Sequence, residues 1–305
     1  MVVLGSDNKL KNKLHQRMGE RCLFDEELKY HTSYQIGGYA QMMLFPATVQ
    51  EWRFVFNFCQ FNQIPLTILG AGTNVLVSDD GIEGVTASTD LLEEITINGN
   101  IVTARAGVTL DDLIKTCIEN GLQGMEKMSG IPGSAGGAIF MNAGAFGQET
   151  FDNLLDFQTL DYSGYVNTLS KNDVKHCHRK VEGIKDLLIF SARWQLEKGN
   201  IAELKKIRNE TLDKRAQSQP LDYPSAGSVF KRPANDYASR LIDEAGLKGL
   251  KVGNAQVCEK HAGFIVNLGN AKAKDVCKLI DIVRSKVKNK TGINLEMEQK
   301  LLGKF

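Results

Sequence analysis

Apolar residues along this chain recur with two spacings, and the switches between them mark out the elements. Ala40–Pro46 (AQMMLFP) has the composition of a short strand. Thr48 with Glu51 three residues on forms a capping box, opening an apolar-rich helix to about Phe61. Pro65–Gly70 (PLTILG) predicts a buried strand, and Asn74–Asp79 (NVLVSD) a second one after a glycine turn. In ITINGNIVTARAG, from Ile95, the pair Asn98-Gly99 stands between alternating residues and signals a hairpin. Leu110, Leu113, Ile114, Cys117 and Ile118 keep helical spacing after Thr109, with Gly121 as the stop. A second hairpin is expected around Ser163-Gly164, then a strand within Asp186–Leu196. Beyond it come a charged helix over Ile201–Gln219, helices near Asp236–Ala245 and Lys274–Lys288, a strand in Gly263–Gly269, and a last strand over Ile293–Gly303. Strands and helices mix without a regular βαβ alternation and no repeat is visible, so the fold class is α+β in two or three subdomains.

The 305-residue length suits that organisation, and 42% hydrophobic with 24% charged residues is an ordinary globular balance. A net charge of +1 supplies no basic field to recruit nucleic acid or an anionic membrane. The polar N-terminal stretch lacks the apolar core of a signal peptide, and no run is long enough to span a bilayer, so the expectation is a cytoplasmic protein without membrane insertion. The six cysteines are scattered without a C-x-x-C pair, which predicts free thiols, mostly buried, rather than disulfides or a zinc site.

Glycine is the composition's unusual feature. Eight of 29 fall between Gly121 and Gly147, with the core GIPGSAGGAIFMNAGAFG, and a second loop reads LGAGTNVLVSDDG from Leu69. Gly133, Gly136, Gly137 and Gly144 remove side chains along one stretch of backbone, a device for cradling an anion or lying against a planar ring. Neither loop is a Walker A or a Rossmann fingerprint, so a nucleotide cofactor in a non-Rossmann fold is what remains. A third cluster, PLDYPSAGSVFKRP, holds Ser225, Ser228 and Lys231; a fourth, LEMEQKLLG, sets Glu296 and Glu298 on one face of the expected last strand. His176-Cys177-His178 has no third ligand nearby and reads as exposed loop histidines, so no metal is expected.

These four clusters, in this order, resemble the UDP-N-acetylenolpyruvoylglucosamine reductase family, in its shorter subtype. The matching strings are TSYQIGGYA, ILGAGTNVLVSDDGIEGV, SGIPGSAGGAIFMNAGAFG, YPSAGSVFKRP, LIDEAGLKGLKVGNAQVCEKHAGFIVN and NLEMEQKLLG, from about residue 32 to 303. The resemblance implies a two-lobed FAD-binding region of the vanillyl-alcohol-oxidase/PCMH-like type plus a separate α+β substrate-binding domain. The corresponding boundaries are FAD-binding subdomain 1 at 1–88, subdomain 2 at 89–200 and the substrate domain at 201–296, with a C-terminal strand at 297–305 as a candidate to return to subdomain 1. It implies non-covalent FAD, NADPH as reductant, a UDP-sugar substrate, and a bacterial monomer or weak oligomer in peptidoglycan precursor synthesis.

For the site, the resemblance places FAD's pyrophosphate on Gly70, Ala71, Gly72, Thr73 and Asn74, with Val75 beside them. The isoalloxazine falls to Gly130, Pro132, Gly133, Ser134, Gly136, Gly137, Asn142, Ala143, Gly144 and Ala145. Ser228 corresponds to the family's proton donor, Glu298 to its glutamate and Arg179 to its arginine; Lys231, Arg215, Arg232 and His261 are the substrate-binding candidates. This chain departs from the family pattern in reading His178-Arg179-Lys180-Val181 where tyrosine-arginine-x-serine is usual, and Arg232 where asparagine is usual. Two rivals share the scaffold: a divergent FAD oxidoreductase with another substrate, and a flavin-binding paralogue impaired in catalysis.

Overall fold

The structure is a computed structural model and describes residues 8–305; residues 1–7, part of the stretch read above for a leader, lie outside it. The chain begins with α1 (Asn8–Met18), β1 (Cys22–Glu27), β2 (Tyr39–Leu44), α2 (Val49–Phe61), β3 (Leu66–Leu69), β4 (Val75–Val77) and β5 (Ile82–Ser88). It continues with β6 (Ile95–Asn98), β7 (Ile101–Arg105), α3 (Leu110–Glu119), β8 (Leu122–Gln123), α4 (Ala135–Met141), β9 (Gly144–Ala145) and β10 (Gln148–Glu149). Then follow β11 (Leu154–Leu160), β12 (Val166–Ser170), β13 (His176–Cys177), β14 (Lys180–Val181), β15 (Leu188–Gln195), β16 (Glu197–Lys198) and α5 (Ile201–Ser218). The last elements are α6 (Ala238–Glu244), β17 (Lys251–Val252), β18 (Ala255–Val257), β19 (Ile265–Asn267), α7 (Ala273–Thr291) and β20 (Lys300–Leu302).

These elements form two compact units, both discontinuous in sequence. The first gathers the described residues up to Phe24, then Met42–Ala71 and Gly84–Arg215; the second gathers Asp25–Gln41, Gly72–Glu83 and Ala216–Phe305.

In the first unit, a five-stranded sheet of order β12-β11-β15-β7-β6 packs Val102, Ala104, Phe157 and Trp194 against Leu113, Ile114 and Cys117 of α3. Trp194 is fully buried and donates its indole N–H to Thr150 O at 3.1 Å, so its burial leaves no orphaned donor. Asn98 lies directly opposite Ile101, which makes Gly99 and Asn100 the turn residues; Gly99, at φ +63°, takes the first central position that glycine favours. A second core gathers Leu14, Trp52, Val55 and Phe56. Thr48 caps α2, its hydroxyl accepting from Glu51 N–H at 3.2 Å, while the Glu51 carboxylate takes Ala47 N–H and the Arg21 guanidinium. Arg21 thereby holds Glu51 below the ordinary carboxylate range. β3 pairs in parallel with β5 at the edge of the order β1-β2-β5-β3, and only Leu69 in it is buried. The expected buried strand is thus an edge strand, with no strand of the described residues paired on its outer flank.

The second unit packs α6 and α7 with the antiparallel β17-β18-β19 sheet around Leu241, Val276, Leu279 and Val283, and draws Tyr34, Ile36 and Leu76 into the same core. β20 pairs in parallel with β4, Leu301 opposite Leu76. The expected last strand over Ile293–Gly303 shortens to these three residues plus a single bridge between Met297 and Phe230. The Gln299 side chain explains part of the difference: its amide donates to Ala226 O and Gly227 O at 3.0 and 3.2 Å, side-chain bonds in place of a ladder.

Candidate functional site

In the first unit the glycine-dense segment is partly helical. Ser134 caps α4, its hydroxyl accepting from Gly137 N–H at 3.3 Å, and Asn142 closes the helix in the left-handed region at φ +42°. The backbone N–H groups of Ala135 and Gly136 donate to Val108 O and Ala106 O at 2.8 and 2.9 Å. A Cβ on Gly136 would stand 2.8 Å from Ala106 Cβ, and one on Gly130 2.7 Å from Leu212 Cδ2. Of the glycines expected to cradle an anion or lie against a planar ring, Gly136 is small because two backbone segments cross there, and its N–H is already used. Gly137 differs, since a Cβ there would meet only Ser134 Oγ, at 3.3 Å. Gly70 ends the other glycine strand, and its Cβ would stand 3.0 Å from the same Ser134 Oγ, so the two loops meet at that hydroxyl. Ala71 and Pro132 are exposed, and Gly133 and Ala145 are half-buried beside the buried Ala143 and Gly144.

Below this segment lies Arg215, only 6% exposed. Its Nε donates to Ser129 O at 2.8 Å, its guanidinium lies 5.5 Å from the Phe146 ring centre, and its Nη2 is buried without a hydrogen-bond partner. Burial first, and the Arg179 charge second, depress its pKa to about 10. A buried cation short of one acceptor, packed at Gly130 against a segment whose Gly130, Gly133 and Gly137 are only half-buried, fits an anionic cofactor such as FAD. Asp111 fixes the segment's start: its Oδ1 accepts from Gly130 N–H at 2.8 Å while Arg208 grips both carboxylate oxygens.

Arg179 sits in the two-residue turn between β13 and β14, at φ +58°, with Nη2 donating to Gly144 O at 2.7 Å. His178 Nδ1 lies 2.9 Å from Glu149 Oε1. Among the described residues no group of His, Cys, Asp and Glu could hold a metal ion. Cys22, Cys59, Cys117 and Cys258 are buried; burial pushes the first three thiols up to about 11, 12 and 12, so they stay protonated, and Cys177 is exposed.

In the second unit the serine and glutamate motifs lie side by side. Ser228 bridges Phe264, Val229 N–H donates to Gly263 O at 2.9 Å, and Glu298 N–H donates to Val229 O at 2.8 Å. Lys231 N–H donates to Glu296 O at 2.8 Å, and the Lys231 ammonium pairs with the Glu296 carboxylate. Behind them, Asn74 Nδ2 donates to Glu298 O at 3.4 Å, and Lys300 N–H to Asn74 O at 2.9 Å, which ties the residues after Gly72 to the same place. Gly72, at φ +64°, leaves no room for a Cβ against His31 O and Thr32 Cα; Thr73 and Val75 follow it into β4. His261, near Ser228 through its edge-on contact with Phe264, accepts Gly263 N–H on Nδ1 at 3.2 Å, and burial lowers its pKa. Arg232 turns instead over the Tyr237 ring, 4.1 Å from its centre, and is exposed. Two residues were missed from the sequence. Lys300, whose pKa falls through burial and the Lys231 charge, adds a cation beside Glu298; Gln299 braces the serine turn. Their only sequence signal is adjacency to Glu298.

A family model described as UDP-N-acetylenolpyruvoylglucosamine reductase, C-terminal domain, matches residues 219–302, and one described as FAD binding domain matches residues 40–170. The chain is 41% identical over 296 residues to a UDP-N-acetylenolpyruvoylglucosamine reductase of Caldanaerobacter subterraneus subsp. tengcongensis, covering 96% of this chain and 98% of the relative. It is 40% identical over 286 residues to one of Syntrophomonas wolfei, covering 93% and 96%. Among solved structures, the UDP-N-acetylenolpyruvylglucosamine reductase of Thermus caldophilus superposes with a TM-score of 0.80 at 30% identity, over 92% of this chain and 98% of that one.

Proposed function

The chain belongs to the UDP-N-acetylenolpyruvoylglucosamine reductase family, and from that premise we propose that Ser228, Glu298 and Arg179 carry its chemistry. The protein is an FAD-containing, NADPH-dependent oxidoreductase that reduces the enolpyruvyl group of UDP-N-acetylenolpyruvoylglucosamine to give UDP-N-acetylmuramate, a peptidoglycan precursor. These findings support this reading over a divergent oxidoreductase or an impaired paralogue. Among the described residues no helix is long and apolar enough to cross a membrane; a cytoplasmic location, a monomeric or weakly associated state, and subdomains at 1–88, 89–200 and 201–296 complete the proposal.

Held by the glycine residues, FAD would supply hydride transfer from NADPH to the methylene carbon of the substrate double bond. The protein's own work is at the neighbouring carbon, which bears the carboxylate and is left with enolate character. The Ser228 hydroxyl holds the proton that this carbon receives. The Arg179 guanidinium stabilises the charge that develops on the carboxylate, and Glu298 acts beside it as a general acid that donates a hydrogen bond, each such group worth about 3 kcal/mol of transition-state stabilisation. Lys231 and Arg215 are cations available to the nucleotide-sugar and the cofactor; His261, its pKa lowered by burial, is a neutral hydrogen-bonding partner at neutral pH. We assign Arg232 to the outer part of the substrate, because its guanidinium is turned away over Tyr237.

The observation that supports this reading most is the bond from Glu298 N–H to Val229 O, which sets the glutamate beside the serine. The test is rapid mixing of Ser228→Ala. NADPH should bleach its flavin at close to the wild-type rate, while reoxidation by UDP-N-acetylenolpyruvoylglucosamine slows by about 10²-fold or more. Reoxidation at the wild-type rate would remove Ser228 from the proton-donor role.

A further inference from the structure

Three consecutive residues of the arginine hairpin are each fastened to one short segment of the glycine loop. Asn142 Nδ2 donates to Cys177 O at 3.3 Å, His178 Nδ1 lies 2.9 Å from Glu149 Oε1, and Arg179 Nη2 donates to Gly144 O at 2.7 Å. The loop side is itself cross-braced. Asn142 is fully buried and donates to Glu149 Oε2 at 2.7 Å, its Oδ1 accepts Phe151 N–H at 3.2 Å, and Glu149 faces Gly144 across the β9–β10 pair. Glu149 is therefore a carboxylate shared between the loop, through Asn142, and the hairpin, through His178.

The hairpin needs such a brace. Cys177 lies opposite Lys180, so His178 and Arg179 are the whole turn, and Arg179 takes the second central position at φ +58°. Glycine, and next asparagine, is the usual occupant there, because in that conformation a Cβ crowds the following carbonyl oxygen. A disfavoured backbone persists where its surroundings over-determine it. Here the surroundings are the Glu149–Asn142 pair on one side and Gly144 on the other. The His178–Glu149 contact is half-exposed, at 52% and 32% for the two side chains, so it adds little to global stability. Its effect is geometric.

We propose that Glu149 and His178 are positioning residues, whose contact fixes the turn that aims the Arg179 guanidinium and couples that aim to the glycine loop. This rests on the role given to Arg179 above. Displacing a catalytic group by about 1 Å can cost on the order of 10²-fold in rate, so a small slackening of the turn is enough.

The test compares the holoenzyme with His178→Ala, His178→Asn and Glu149→Gln. Asparagine places an amide N–H where Nδ1 stood, so it is the conservative rescue. His178→Ala should keep its flavin content and melting temperature, lower kcat about tenfold or more with little change in the substrate's KM, and slow reoxidation more than reduction by NADPH. Amide hydrogen exchange over residues 175–182 should quicken in the same variant. His178→Asn should restore both readouts, and Glu149→Gln should fall between. Wild-type reoxidation and exchange in His178→Ala, or equal behaviour of the alanine and asparagine variants, would overturn the proposal. If wild-type enzyme itself is not reoxidised by UDP-N-acetylenolpyruvoylglucosamine, the functional reading fails instead, and the exchange measurement still decides whether the contact holds the hairpin.

Discussion

Gly136 and Gly137 are neighbours of one residue type with different reasons to be glycine. A side chain on Gly136 would press on the backbone and Cβ of Ala106; one on Gly137 would meet a single hydroxyl. Gly136→Val should therefore lower the melting temperature of the flavin-free protein, by about 1–3 kcal/mol of stability, and give nearly colourless protein. Gly137→Ala should change the stability of the flavin-free protein little, because the helix gain of alanine, about 0.5–1 kcal/mol, is set against the 3.3 Å contact of its Cβ with the capping Ser134 hydroxyl, yet bind FAD less well. Thermal melts of apoprotein and the ratio of flavin to protein absorbance check both; an unchanged FAD content in Gly137→Ala would mean that the open side of this glycine faces solvent. The sequence displays a glycine without its reason, because what crowds Gly136 lies 30 positions away at Ala106. Ser228 and Glu298 were legible because their motifs are contiguous. Glu149 was not, since its partners, Asn142 and His178, stand on both sides of it in the chain.

At the scale of elements, periodicity found what periodicity controls. The helices α2, α3 and α7 each bury a stripe of apolar residues and fall where their spacing placed them. α4 was hidden, because Ala135-Gly-Gly-Ala-Ile-Phe-Met141 has weak helix propensity and is held by its cap and by Val108 and Ala106. α3 supplies a testable case. Asp111, in its first turn, is held below the ordinary carboxylate range chiefly by its hydrogen bonds from Arg208. A carboxylate depressed in the folded state contributes its stability above the unfolded value of about 3.9 and loses it as the pH falls through the folded one. Asp111→Asn keeps an acceptor for Gly130 N–H but discards the ion pair. It should cost about 1 kcal/mol at pH 7, after allowing for solvent screening of a half-exposed pair, and the deficit should close below about pH 4. Denaturation curves of both proteins from pH 3 to 7 measure it; a constant deficit would place the loss in packing.

For the whole molecule, connectivity decides what can be cut. The second unit has no continuous sequence: Tyr34, Ile36 and Leu76 sit in the core built by α6 and α7, and β20 has β4 as its partner. A fragment of residues 216–305 alone would lose those three apolar side chains and leave β20 with an open edge. It should stay unfolded, with a collapsed amide spectrum and no cooperative melt. A sharp transition in that fragment would show that the core closes without them. Hydrophobic patterns could not show this interleaving, since they mark elements but carry no information on which distant element completes a core; the return of a C-terminal strand was an expectation of the resemblance alone.

The same interleaving has a meaning during synthesis. Tyr34 and Ile36 leave the ribosome early, but the core that shelters them is not finished until Leu295 has followed. For most of translation these side chains are apolar surface awaiting a partner, and that interval is when a nascent chain aggregates or is held by a chaperone. Growth temperature and translation speed should then govern the soluble yield of this protein more than the stability of its finished fold.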